Sequence, residues 1–193
     1  MVTESDEKLM AAVRAGDLRK LAVLFERHHR ALFSFFVHMN GNRDLSQDLV
    51  QDVFFRILRY RHTYVDGRAF PAWMYQIARN ASIDTGNKRK GELQLVTNRE
   101  DDEDRSAREP VSELVAADEA IRRRQEIDLL RRALARLPDE KREVLVLSRF
   151  QNLAYEEIAA ILGCEVGTVK VRVFRATKAL GEIYFELAGE RAS

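Results

Sequence analysis

The sequence predicts an all-α fold: two small helical domains joined by an acidic flexible linker, the C-terminal domain a helix-turn-helix. Three observations carry this. Only 3 prolines and 9 glycines punctuate 193 residues rich in Ala, Leu, Arg and Glu, the composition of a helix-forming chain. Apolar residues recur at three- and four-residue intervals on both flanks, without alternating strand patterns or internal repeats. Charge divides along the chain: residues 92–120 hold 10 Asp and Glu against 3 Lys and Arg, while both flanks are basic and the whole chain carries only +1.

Residues 1–92 form the expected first domain. In LRKLAVLFERHHRALFSFFVHM, Leu21, Leu24, Phe25, Leu32, Phe35 and Phe36 mark an apolar side. After the Gly41-Asn42 break comes LSQDLVQDVFFRILRY, whose core stripe is Leu49, Val50, Val53 and Ile57. Then YVDGRAFPAWMYQIARNASID places a turn at Asp66-Gly67 and Pro71 in the first turn of a helix. Residues 93–122, with NREDDEDRSAREPVSE, have the charge and the poverty of large apolar residues of a solvated linker. The alternative is a charged surface loop within one larger domain. Residues 123–193 form the second domain: IDLLRRALARL stops before Pro138, DEKREVLVLSRF follows, and LAYEEIAAILGCEVGTVKVRVFRATKAL is two helical patterns hinged at Gly163.

Angles of 100° per residue sort that last helix. Val169, Val173, Ala176 and Leu180 form an apolar stripe for packing on Ile158, Ala159 and Leu162. Thr168, Val171, Phe174, Arg175 and Lys178 lie opposite, with Lys170 and Arg172 on the flanks. Cations beside apolar groups suit a DNA major groove, where cations meet phosphate or guanine edges and an apolar side chain touches a thymine methyl. The bland alternative is a solvated basic face, for which an exposed Val171 and Phe174 would have no use.

Two further faces stand out. Asp48, Gln51, Asp52, Phe55 and Arg59 share the side of residues 45–59 away from the core stripe, an aromatic among charges that suits a protein-binding surface; packing of Phe55 on a neighbouring helix is the alternative. Tyr64, Phe70, Trp73 and Tyr75 precede Arg79, Asn80, Lys88, Arg89 and Lys90. Rings near cations suit a single-stranded nucleic acid, since rings stack on unpaired bases and cations hold the backbone; core packing is the alternative for Phe70 and Trp73.

Other classes are disfavoured. No run of about 18 apolar residues exists to span a bilayer, and the start MVTESDEKLM is polar and acidic, so a cytoplasmic protein is expected. A single cysteine, Cys164, allows no internal disulfide and no thiolate-rich zinc site. Asp48 and Asp52, with His28 and His29 elsewhere, raise a metal-dependent nuclease as a rival, but the histidines have no ligand-like pairing with the carboxylates. A self-contained helix-turn-helix repressor is the other rival. The expectation is a non-enzyme without cofactor or metal.

Three stretches in order, DLVQDVFFRI, AWMYQIARN and LPDEKREVLVLSRFQNLAYEEIAAILGCEVGTVKVRVFRA, resemble the extracytoplasmic-function (ECF) sigma factors of bacterial RNA polymerase, and the likeness covers about Asp17 to Leu180. The resemblance implies that the first domain (sigma region 2) binds core RNA polymerase and melts the −10 element, while the second (sigma region 4) binds the −35 element as duplex promoter DNA. It assigns Asp48, Gln51, Asp52 and Phe55 to the polymerase clamp. Tyr64, Trp73 and Asn80 match the capture of an unpaired base, with Lys88 and Arg89 on the backbone. Arg149 and Tyr155 match positions near the −35 backbone, and Lys170, Val171, Arg172, Phe174 and Arg175 match the recognition helix, beside Thr168 and Lys178 of the same face. The acidic linker resembles one that threads the polymerase's RNA channel, and a separate anti-sigma factor is the expected regulator. Three positions depart from the family pattern. Ala154 stands where a capping serine is usual, Val171 replaces a small polar residue, and Gly86 interrupts a stretch usually helical and basic.

Overall fold

A computed structural model describes residues 4–95 and 114–192, with the side chains of 4–86 and 121–190. Among the described residues the ordered elements are all helical: α1 (Asp6–Arg14), α2 (Arg19–Asn40), α3 (Arg43–Tyr60), a 3₁₀ turn (Arg61–Thr63), α4 (Phe70–Leu95), α5 (Leu114–Arg136), α6 (Asp139–Leu145) with a π turn at its end (Val146–Phe150), α7 (Tyr155–Leu162) and α8 (Val166–Ala192). The centre of the expected linker, 96–113, lies outside the described residues, and its two ends are the helical ends of α4 and α5.

Local chemistry sets the boundaries. Ser5 Oγ accepts from Lys8 N–H, and Asp6 and Glu7 face the positive end of the α1 dipole. This helix, which the periodicity of the flanks does not announce, buries Leu9, Met10 and Val13. Gly41, at φ 71°, ends α2 in the left-handed conformation, and Asn42 Oδ1 then caps α3 by accepting from Leu45 N–H at 2.9 Å. Helix α4 runs through Gly86 rather than breaking there.

The first domain packs α1 to α4 around Leu24, Leu32, Phe35, Phe36, Leu49, Val53, Ile57, Phe70 and Met74, all nearly inaccessible. In the second, Val144, Leu147, Ile158, Ile161, Val169, Val173 and Ala176 make the helix-turn-helix core. Leu162 packs on this core half-buried, and Ile161 is buried in it as well. Gly163, at φ 64°, supplies the left-handed residue that turns α7 into α8. The segment beginning Gly181-Glu182-Ile183 continues the recognition helix without a break. Leu187 buries itself with Leu129 and Ala133 of α5, and Leu180, Ile183 and Tyr184 flank this second cluster.

The two halves also touch. Tyr75 OH donates to Gln151 Oε1 at 2.8 Å, Gln76 Nε2 donates to Ala160 O at 2.5 Å, and Arg79 pairs with Glu143 at 3.0 Å. The His38 and Phe150 rings lie 4.0 Å apart. Arg142 satisfies carbonyls at two helix ends, donating to Leu134, Ala135 and Leu137 O around the end of α5 and to Met39 O at the end of α2.

Candidate nucleic-acid interface

On α8 the buried stripe and the exposed row separate as the helical period requires. Val169, Val173 and Ala176 are at most 3% exposed, whereas Val171 is 47% and Phe174 71% exposed. Thr168, Lys170, Arg172, Arg175 and Lys178 are exposed beside them, as is Arg149 on the preceding π turn. Tyr155, at the first position of α7, is half-buried against the core. The surface is therefore a basic rod with two apolar side chains standing out of it. A methyl or ring edge there gains contact only against a partner, and cations gain most against phosphate.

Helix α7 starts without the usual cap. Ala154 has the extended backbone of an N-cap residue but no side-chain acceptor, and Glu157 Oε2 accepts from Ala154 N–H at 2.9 Å. Half of a capping box is thus present.

On α3, Asp48, Gln51, Phe55 and Arg59 are exposed and Asp52 is half-exposed, while Leu49, Val50, Val53, Phe54 and Ile57 face inward. Phe55 is 63% exposed, which excludes it from the core. Arg56 bridges Asp52 at 2.9 Å and Asp84 of α4 at 2.7 Å, fixing one edge of the face. At the other edge, a groove lined by Phe25, His29, Phe33, Gln47, Val50 and Gln51 runs between α2 and α3. The nuclease rival finds no support in this geometry. His28 Nε2 lies 2.7 Å from Asp6 Oδ2, and His29 bonds Phe25 O and stacks on the Phe25 ring. Among the described residues no group of three or more His, Cys, Asp or Glu could hold a metal.

The aromatic candidates before Asn80 are placed differently from the expectation of an open stacking platform. Tyr64 is 1% and Trp73 5% exposed, with their rings edge-to-face at 5.2 Å, and Phe70 and Tyr75 are buried too. Neither Tyr64 nor Trp73 offers a ring face to an unpaired base in this form. The physical reason is the helical period: Phe70, Trp73, Met74, Ile77, Ala78 and Ala81 share one side of α4, and that side closes the core. Tyr64 OH donates to Arg68 O, and burial raises its phenol to about 12. Asn80 is exposed. Lys88 and Arg89 lie on the helical backbone of α4, with side chains outside those described.

The residues that sequence reasoning missed sit between the halves. Glu143 is only 9% exposed, and burial pushes its carboxyl above the usual range while Arg79 pulls it back. A signal existed: Glu143 lies about 40° from Leu147 on the helix and so on the apolar side, where a carboxylate needs a partner.

Comparison with known proteins is consistent along the chain. Residues 24–91 match the family model "Sigma-70 region 2" and residues 127–180 match "Sigma-70, region 4". The ECF RNA polymerase sigma factor EcfG of Rhodopseudomonas palustris is 32% identical over 155 residues, covering 80% of each chain. RNA polymerase sigma factor CarQ of Myxococcus xanthus is 31% identical over 183 residues, covering 95% of this chain and 99% of the relative. Among solved structures, the sigma factor RpoE of Bartonella quintana, in complex with the anti-sigma factor NepR, matches at 27% identity with a TM-score of 0.66 over 86% of this chain and 96% of its own.

Proposed function

Because the chain belongs to the ECF sigma factors of bacterial RNA polymerase, whose function is promoter recognition and transcription initiation, we propose a division of that work among its surfaces. Residues 1–92 bind core RNA polymerase and the −10 element, residues 123–193 bind the −35 duplex, and the acidic residues 93–122 connect them.

The exposed face of α3 takes the polymerase clamp. Phe55 is the apolar anchor, with Asp48, Gln51 and Asp52 supplying charge and hydrogen bonds around it; the exposure of Phe55 is the observation that carries this. Near −10, Asn80 meets the base edge of the separated strand and Lys88 and Arg89 hold its backbone, while Tyr64 and Trp73 act from beneath as the rigid wall that positions α4. At −35, α8 enters the major groove. Lys170, Arg172, Arg175 and Lys178 face phosphates or guanine edges, Thr168, Val171 and Phe174 meet base edges and methyls, and Arg149 and Tyr155 steady the backbone.

The protein contributes binding energy rather than bond chemistry: it acts in the cytoplasm as a non-enzyme, without a cofactor. Among the described residues no helix is long and apolar enough to cross a membrane. An anti-sigma factor is the proposed regulator, supported by the relative solved in complex with one.

Run-off transcription with core polymerase tests the assignment. Asp52→Arg and Phe55→Ala should each abolish promoter-dependent transcript by preventing assembly with polymerase, because an anchor aromatic is worth about 2 kcal/mol or more, roughly thirty-fold in affinity. Their melting temperatures should stay near wild type. Mutants that still assemble and transcribe would refute the α3 face, and mutants that unfold would return Phe55 to the core.

A further inference from the structure

Helix α1 holds both ends of the loop that leads into α4. From its last turn, Arg14 Nη1 donates to Tyr64 O at 2.9 Å and Arg14 Nη2 to Asp66 Oδ2 at 2.5 Å. From its first turn, Glu7 Oε1 accepts from Phe70 N–H at 3.3 Å, at the start of α4, where that N–H has no partner within its own helix. Between these anchors the loop is tied to itself and to α4. Tyr64 OH donates to Arg68 O, Arg68 N–H donates to Val65 O at 3.2 Å, and Arg68 Nη2 donates to Gln76 Oε1 at 2.6 Å. Gln76 lies one turn before Asn80, and Trp73, Gln76 and Asn80 fall within about 60° of one another on α4. A continuous run of bonds therefore leads from Arg14 to the row of α4 that carries Asn80.

These polar bonds are not what docks α1. Leu9, Met10 and Val13, each at most 1% exposed, already bury its inner side. The Arg14–Asp66 pair is exposed to solvent and adds little to stability. Its value is directional: one planar guanidinium bonded to two acceptors sets the angle of the chain that carries them. With its polar groups drawn inward, the loop turns at Gly67, φ 82°, and leaves Val65 standing out at 64% exposure.

We propose that Arg14 and Glu7 are positioning residues of the −10 site: they hold residues 64–69 and the head of α4 in one geometry, and so fix where Asn80 meets the separated strand and how strictly its bases are selected. Helix α1 thereby takes part in −10 reading although it precedes residues 24–91, the part that matches the region 2 family model. The inference rests on the assignment of α4 and Asn80 to the −10 element.

A barcoded promoter library randomised at −10 and −35, transcribed in vitro by core polymerase with the full chain, reads base preference at both elements at once. Arg14→Ala should lower the ratio of best to second-best base at −10 positions by about three-fold or more, and leave the −35 preferences as in wild type. Glu7→Ala should do the same, whereas Glu7→Gln keeps an acceptor for Phe70 N–H and should stay near wild type. Arg14→Lys, which cannot hold both acceptors, should fall between. Asp66→Ala removes only the exposed ion pair and should shift −10 preference in the same direction even if Arg14→Ala folds poorly. Unchanged −10 preference in Arg14→Ala or Asp66→Ala, equal losses at both elements, or Glu7→Gln as unselective as Glu7→Ala would each overturn the positioning role. A wild type without preference at either element would instead count against the sigma-factor reading itself.

Discussion

Replacing Ala154 with serine adds one acceptor to a helix start that lacks one. Ala154 already has the right backbone, φ −64° and ψ 150°, its carbonyl already accepts from Ile158 N–H at 3.0 Å, and Glu157 already reaches back to its N–H at 2.9 Å. A serine Oγ in this geometry accepts from Glu157 N–H and completes the box with no further ordering of the backbone. An alanine-to-serine change at such a position is worth about 1 kcal/mol. In a chain of this length that raises the melting temperature by about 2–4 °C. Calorimetry of wild type, Ala154→Ser, Glu157→Ala and the double variant measures it, and the serine gain should be smaller in the Glu157→Ala background, since the two halves of the box support each other. An unchanged or lower melting temperature for Ala154→Ser would mean that the first-turn N–H groups are already satisfied, and the reasoning from the bare cap would fail.

Two other outcomes are expected. Arg175→Ala should weaken −35 duplex binding, by about 1–3 kcal/mol at particular base pairs if it meets a base edge and uniformly across sequences if it holds only phosphate; anisotropy across −35 variants separates the two, and no loss would place Arg175 off the DNA. Burial favours the neutral form of Glu143, so the native state binds that proton more readily than the unfolded chain. Stability from this group therefore grows as pH falls through its raised value and levels off below the ordinary glutamate range. Wild type should gain on Glu143→Gln in melts taken over that acidic window, and parallel curves would refute the burial argument.

How much of this was legible in the sequence depended on whether one period decided the matter. On α8 and α3 a single angular count separated Val169 and Val173 from Val171 and Phe174, and Val53 and Ile57 from Phe55, and burial follows that count. Trp73 was ambiguous because aromatics beside cations suit both a stacking surface and a core; the side of α4 it shares with Met74 and Ala78 decides for the core, and Tyr64, from the loop before α4, is buried against its ring. Gly181 reads locally as a helix end, since a mid-helix glycine costs about 1 kcal/mol. Packing of Leu187 against Leu129 and Ala133 outweighs that cost, and such a contact is invisible to a local window. The contacts between halves join positions as far apart as Met39 and Arg142, through polar groups that carry no periodic mark.

The unbroken length of α8 has a mechanical meaning. At 1.5 Å per residue, its 27 residues make a rod of about 40 Å. Its first half lies in the helix-turn-helix core and its second half is clamped to α5, the helix that receives the chain from the connecting segment. A tilt of about 10° about one end sweeps the other by about 7 Å, two base-pair steps. If α8 reads a groove as proposed, a load arriving through α5 would change the angle at which Phe174 and Arg175 meet it, and a partner held at the distal end, around exposed Phe185, would act through the same lever.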